Sequence, residues 1–99
     1  MIHSVLKRGA RDIEPFIPDK IRSSIGSAIR DSGIVGEKED ELTRKIHYEV
    51  VSSLPPEQEI TTETIRSVIM ETLSSIDDRE YRTVIMASWV EHERRFKSF

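Results

Sequence analysis

The sequence contains no cysteine, and this absence excludes several kinds of protein at once. Disulfide bonds, cysteine-based zinc sites and thiol nucleophiles cannot form without it. No apolar run approaches the roughly 18 residues that a membrane helix requires, so no membrane partner is expected. The Gly-x-x-x-x-Gly-Lys-Ser/Thr loop and the Gly-x-Gly-x-x-Gly fingerprint of nucleotide-binding enzymes are also missing. These absences favour a cytoplasmic protein.

Size and charge limit the remaining possibilities. A chain of 99 residues makes one domain, because it is too short for a second core. The net charge is −3, so no overall positive field attracts phosphate backbones. On this basis we expect no direct nucleic-acid binding.

Apolar periodicity and turn residues predict four helices and a small β cap. The cap covers about residues 3–17 and a short strand near 58–61, with a turn at 9–12. Each helix carries one apolar stripe, and the helices cover about residues 19–32, 38–54, 62–75 and 78–96. The predicted fold is therefore α+β and mostly α, a four-helix bundle capped by a small three-stranded N-terminal β-sheet.

Polar residues and glycines indicate the helix ends. Asp19 is the predicted cap of the first helix and Asp77, in a capping box, of the fourth. The third helix is predicted to start at Thr61 or Thr62, and either threonine is a candidate for its cap. Gly33 is predicted to close the first helix, and Gly26 inside that helix indicates close backbone packing.

Basic residues gather in three places that the predicted fold brings toward one end of the bundle. Backbone N–H groups at a helix start favour anions, and a cation placed there needs an anionic partner. A bound phosphate chain satisfies both, whereas the simpler interpretation is a set of solvated surface charges. The cations are Lys7, Arg8 and Arg11 near the hairpin, Lys20 and Arg22 at the first helix, and Arg94, Arg95 and Lys97 at the chain end.

The histidines and aromatic residues give weaker evidence of function than the basic residues do. His3, His47 and His92 stand far apart and form no ligand motif, so we interpret them as surface residues. Phe16 and Trp89 are assigned to the core.

Several segments resemble the ATP cone domain. Val5-Leu-Lys-Arg, Glu14-Pro-Phe and Asp19-Lys-Ile are similar to its opening, which usually reads Val-x-Lys-Arg-Asp-Gly, Glu-Pro-Phe and Lys-Ile. The similarity continues through Ile60-Thr-Thr-Glu-Thr-Ile to Glu93-Arg-Arg and covers nearly the whole chain. The resemblance implies four helices under a three-stranded sheet and allosteric binding of ATP or dATP. Such domains occur in ribonucleotide reductase large subunits and, behind a zinc ribbon, in a bacterial repressor of ribonucleotide reductase genes.

The resemblance also implies a nucleotide site made of three groups of residues. The cations that match phosphate-contacting positions are Lys7, Arg8 and Lys20. The positions that match the adenosine side are Val5, Glu14 and Ile21. The positions near the triphosphate on the third and fourth helices are Thr62, Arg66 and Arg95.

The chain departs from the family pattern in its turn and in its length. Residues 9–12 replace the usual Asp-Gly turn and make the hairpin one residue longer, and Ile17 stands where the family usually has Asp or Asn. The chain has neither a reductase barrel nor a zinc ribbon. A standalone regulator and a piece of a larger protein therefore both stay open.

Two functions of different classes follow from these observations. The first is a regulatory module, not an enzyme, that binds ATP or dATP with or without Mg²⁺ and acts through oligomerisation or a larger partner protein. The second is a ligand-free helical interaction domain whose basic patch docks an acidic partner or nucleic acid. A hydrolase is not expected, because Asp77 and Asp78 are better explained as helix caps than as metal ligands.

Overall fold

In the described part of the chain, two short strands are followed by two helices, a third short strand and two further helices. The computed structural model describes residue 2 and residues 4–6, 13–56 and 59–96. The predicted α+β, mostly α class is confirmed. The elements within the described ranges are β1 (Ser4–Leu6), β2 (Ile13–Pro15), α1 (Pro18–Asp31), α2 (Glu37–Ser53), β3 (Glu59–Thr61), α3 (Thr62–Ser74) and α4 (Arg79–Phe96).

The sheet has β1 in its centre, between β2 and β3. Val5 pairs with Glu14 of antiparallel β2 and with Ile60 of parallel β3. Because α3 begins directly after β3, and α1 only two residues after β2, the pairing of β1 brings both helix starts to the sheet. The predicted turn at 9–12 lies outside the described residues.

Two contacts show that α1 and α2 run in opposite directions. Arg30, near the end of α1, places its Nε 2.9 Å from Oε1 of Glu39, near the start of α2. At the other end of the pair, Nε2 of His47 lies 3.1 Å from the carbonyl oxygen of Pro18.

Contacts made by α4 complete the arrangement of the bundle. Arg66, one turn into α3, pairs with Glu93 in the last turn of α4, so these two helices are also antiparallel. The ammonium of Lys38 lies 5.1 Å from the centre of the Tyr81 ring, so α2 and α4 begin at a common end. It follows that α1 and α3 begin together at the opposite end, which carries the sheet.

The core lies between the four helices and follows the predicted apolar stripes. On α2 the predicted stripe of Leu42, Ile46, Val50 and Leu54 is buried along its whole length. The other helices contribute fully buried side chains, chiefly Ile21, Ile25, Ile29, Ile65, Ile69, Leu73, Ile85 and Trp89.

Two large apolar side chains lie at the edge of the core instead of inside it. Val84 is 42% exposed, because Ile85 and Trp89 occupy the inner face of α4 and Val84 lies to one side of it. Phe16 is half-buried and packs against the core from the connection between β2 and α1.

The caps of α1 and α4 differ from the predicted ones. Ile17 holds the cap position of α1 without a side-chain hydrogen bond, and Asp19 lies inside the first turn, so the predicted Asp19 cap is wrong. At α4 the cap is Asp78 instead of Asp77, because Oδ1 of Asp78 accepts the backbone N–H of Tyr81 at 3.0 Å. The acidic pair was located correctly, but the helix starts one residue later than the capping box indicates.

The two predicted special glycines have different roles. Gly26 is buried where α1 faces α2, and a Cβ built on it would lie 3.5 Å from Cγ2 of Thr43. That distance is an ordinary van der Waals contact, so the packing is close but leaves room for a methyl group. Gly33 follows the end of α1 with a φ of +98°, which L side chains rarely adopt. The prediction that Gly33 closes the helix is confirmed.

Replacing these glycines by alanine is expected to change stability in opposite directions. Gly26→Ala should raise the free energy of unfolding by about 0.5–1 kcal/mol, because alanine is the better helix former. Gly33→Ala should lower it by about 1–2 kcal/mol, because alanine is strained in the left-handed region. Urea unfolding followed by circular dichroism measures both. A loss of stability in Gly26→Ala would mean that the α1–α2 contact is tighter than the structure indicates.

Candidate functional site

The candidate site lies at the end of the bundle that carries the sheet. We call this region the sheet end, and define it as β1, the first turns of α1 and α3 and the last turn of α4. The first N–H groups of a helix have no partner within the helix, and with the helix dipole they place partial positive charge at its start. Because α1 and α3 both begin here, the sheet end is suited to an anion.

The start of α3 is organised by a threonine cap. Oγ1 of Thr61 accepts the backbone N–H of Thr64 at 3.2 Å, and the two hydroxyl oxygens lie 3.0 Å apart. Of the two candidate caps, Thr61 and Thr62, the structure therefore selects Thr61. Thr62, a predicted site residue, follows the cap and is only 1% exposed, so its side chain belongs to the wall of the bundle.

Arg66 is the predicted site residue with the best-defined partner. Its Nε lies 2.9 Å from Oε2 of Glu93, and the two side chains are 31% and 19% exposed. The contact is an ion pair without an aligned hydrogen bond, since Nε has no hydrogen-bond partner among the described residues. Sequence reasoning missed Glu93, because nothing in the spacing of residues 66 and 93 links them.

The start of α1 supplies Lys20 and a shallow depression. The backbone N–H of Lys20 donates to the carbonyl of Ile17 at 3.0 Å, and its side chain is exposed. The depression has a volume of about 420 Å³ and is lined by Ile17, Asp19, Lys20, Ser23 and Ser24. Sequence reasoning did not single out the two serines, which are common on helix surfaces.

Predicted contacts with adenosine fall on or beside the sheet. Val5 is buried and lies in register with Glu14, so the backbones of these two predicted residues are adjacent. Ile21 is buried in the core, where it holds α1 against the other helices. Lys7 and Arg8 lie outside the described residues.

Arg95 belongs to a different concavity from Lys20. It contributes to a groove of about 620 Å³ that extends from Asp31 and Ser32, at the end of α1, along α4 to Arg95 itself. Among the cavities formed by the described residues, the groove lined by Arg95 and the depression lined by Lys20 are separate.

One of the three histidines that were assigned to the surface is buried. His92 is 8% exposed and stacks on Trp89 with ring centres 5.9 Å apart, so the surface assignment is wrong for it. The spacing from Ile85 through Trp89 to His92 continues the buried stripe of α4, a signal that was available in the sequence. His47 is half-buried against the start of α1. His3 lies outside the described residues.

Neither a metal site nor a membrane span is present in the described part of the chain. Within it, no three His, Cys, Asp or Glu side chains are grouped so that they could hold a metal ion. The same residues include no helix with the length and apolar character needed to cross a bilayer.

Comparison with known proteins identifies a family and a set of relatives. The family model described as ATP cone domain matches residues 4–94. A transcriptional repressor NrdR from Methylobacterium nodulans is 34% identical over 96 residues, which are 97% of this chain and 47% of the relative. The repressor of the same name from Xanthobacter autotrophicus is 34% identical over 95 residues, 96% of this chain and 50% of the relative. The chain thus spans about half the length of these curated relatives.

The relatives overturn one prediction. They are transcriptional repressors, a class of protein that binds DNA, so the expectation of no direct nucleic-acid binding is wrong. The net charge of −3 is a poor predictor of nucleic-acid binding here, because it is a sum over the whole of this chain. A sum does not describe a local basic patch, and it carries no information on the half of the relatives that this chain does not span.

The Thr61 cap can be tested against its neighbour Thr64. Thr61→Ala removes the oxygen that accepts the N–H of residue 64, and should lower the free energy of unfolding by about 1 kcal/mol. Thr64→Ala keeps that bond and removes only the hydroxyl contact, so its loss should be smaller than about 0.5 kcal/mol. Urea unfolding measures both. Equal losses would show that the threonine pair, instead of the cap alone, fixes the start of α3.

Proposed function

The chain belongs to the ATP cone domain family, and we propose that it is a regulatory module that binds ATP or dATP at the sheet end. The observation that carries this proposal is the convergence of the α1 and α3 starts beside the sheet. Two helix starts attract negative charge, and a triphosphate is the most highly charged part of these nucleotides. Cations placed at the same end would neutralise the rest of that charge.

The triphosphate would lie between the helix starts and the cations around them. Lys20 projects from the first turn of α1, and Arg66 lies one turn into α3. Lys7 and Arg8 join this set on the basis of the family pattern. In the chain they follow Leu6, which pairs with Thr61 at the start of α3. The residues present therefore fit a polyanionic ligand.

The nucleoside would lie on the sheet side of the phosphates. Val5 and Glu14 would line that side from β1 and β2, and Ile21 would support it from the core. Thr62 would shape the wall beside the phosphates. We place Arg95 at the margin of the site, since the groove that it lines lies along α4.

Binding would act by shifting an equilibrium and not by chemistry. A ligand shifts a conformational or oligomeric equilibrium only by its difference in affinity for the two states. The states would be two oligomers or two arrangements against a larger partner. Because the relatives are named transcriptional repressors, we include among the partners a DNA-binding regulator that contains this chain.

Alanine substitutions of the lysines should weaken binding of the nucleotide. Lys7→Ala and Lys20→Ala are each expected to raise the Kd for ATP about tenfold or more, since a charge-assisted contact contributes about 1.5–3 kcal/mol. Isothermal titration with ATP and with dATP measures the change, and circular dichroism shows whether the helices persist.

Lys45→Ala is the matched control for this experiment. Lys45 lies on α2 and lines a groove with residues 75–78, away from the sheet end, so its removal should change the Kd less than twofold. If Lys20→Ala also stays within twofold of the parent, the site lies elsewhere. If neither nucleotide gives heat at millimolar concentration, the proposal is wrong and a ligand-free interaction domain explains the basic residues better.

A further inference from the structure

Arg66, which the proposed function assigns to the triphosphate, is already paired with the carboxylate of Glu93. Nε of Arg66 lies 2.9 Å from Oε2 of Glu93, and the pair joins the beginning of α3 to the end of α4. A carboxylate beside a guanidinium resembles a phosphate oxygen in charge and in its ability to accept hydrogen bonds. Glu93 therefore presents to Arg66 the same chemistry that an incoming phosphate would present.

Glu93 stands at an unfavourable position in its own helix. It begins the last turn of α4, where the helix dipole favours cations and disfavours a carboxylate. The next two residues, Arg94 and Arg95, follow the favourable pattern. The Glu93 side chain nevertheless turns inward and is only 19% exposed, so the contact with Arg66 is what offsets its adverse placement.

The hydrogen bonding of the pair is incomplete. Oε1 of Glu93 and Nε of Arg66 are both buried atoms without a hydrogen-bond partner among the described residues. Leaving buried polar groups unsatisfied is costly, and the cost is larger for charged groups. A half-buried pair with these defects is held less firmly than an aligned, fully bonded one, and it can be exchanged for a better anion.

We propose that Arg66 exchanges partners when nucleotide binds, leaving Glu93 for the triphosphate, so that Glu93 acts as a built-in competitor of the ligand. This inference rests on the proposed function. It adds a means of transmission, because a released Glu93 loses the contact that fastens the last turn of α4 to α3. Occupancy of the sheet end is thereby coupled to the position of the end of α4.

The test is the affinity of the intact chain for ATP after Glu93→Gln. This change removes the competing charge but keeps the size of the side chain, and should tighten binding about threefold to tenfold, in line with the modest strength of a partly exposed ion pair. The matched control is Glu91→Gln, which makes the same charge change on the same helix. The carboxylate of Glu91 pairs with exposed Arg94 at 3.5 Å, and its neutralisation should leave the affinity within twofold.

A double-mutant cycle shows whether Glu93 acts through Arg66. Arg66→Gln alone should weaken ATP binding. Adding Glu93→Gln to that variant should then give no further change in the affinity for ATP. If the pair were purely structural, Glu93→Gln would lower the unfolding midpoint, and its effect on ATP affinity would not depend on Arg66. If Glu93→Gln does not fold, Glu93→Asp replaces it, because the shorter side chain also loses the 2.9 Å contact.

The outcomes separate this inference from the proposed function. Tighter binding by Glu93→Gln, absent from Glu91→Gln and lost in the Arg66→Gln background, supports the exchange. If the parent chain binds ATP and the Glu93→Gln and Glu91→Gln variants bind it with equal affinity, the exchange is overturned. The proposal that the chain binds ATP is then unaffected. No ATP binding by the parent chain overturns both.

Discussion

The backbone pairing of β1 with both of its neighbours is the constraint on which the rest of the molecule depends. Val5 holds together two segments that are distant in sequence, one leading into α1 and the other into α3. Because each of these helices begins at the sheet, the bundle places two helix starts at the same end, with α2 and α4 running the other way and packing between them. The resulting field favours anions at one end of the molecule before any charged side chain is considered.

Two ion pairs between helices stabilise the bundle, and they differ in their distance from the proposed ligand site. Arg30 pairs with Glu39 between α1 and α2, far from the sheet end, and fastens antiparallel helices. The Arg66–Glu93 pair does the same for α3 and α4, but it does so at the end that attracts anions. Under the proposed function, a phosphate ligand would use the same guanidinium as this structural contact.

Local features of the fold could be predicted from the sequence, whereas contacts between distant residues could not. The stripe of α2 and the burial of Trp89 follow from the helical period. Local chemistry predicts a threonine cap for α3 but does not choose between Thr61 and Thr62. The cap of α4 was misplaced by one residue, because the adjacent Asp77 and Asp78 satisfy nearly the same pattern. The partnership of residues 66 and 93 depends on how two helices pack, and no periodicity encodes that. For the candidate site, the sequence supplied residue types and the structure supplied their neighbours.

The position of Trp89 has a practical consequence. It is the single tryptophan of the chain, is 2% exposed, and lies one helical turn before Glu93 on the same side of α4. An indole buried there has its emission set by the packing around the last turns of this helix. The protein thus carries its own optical probe next to the contact between α3 and α4, and rearrangement of that region is visible in intrinsic fluorescence without a label.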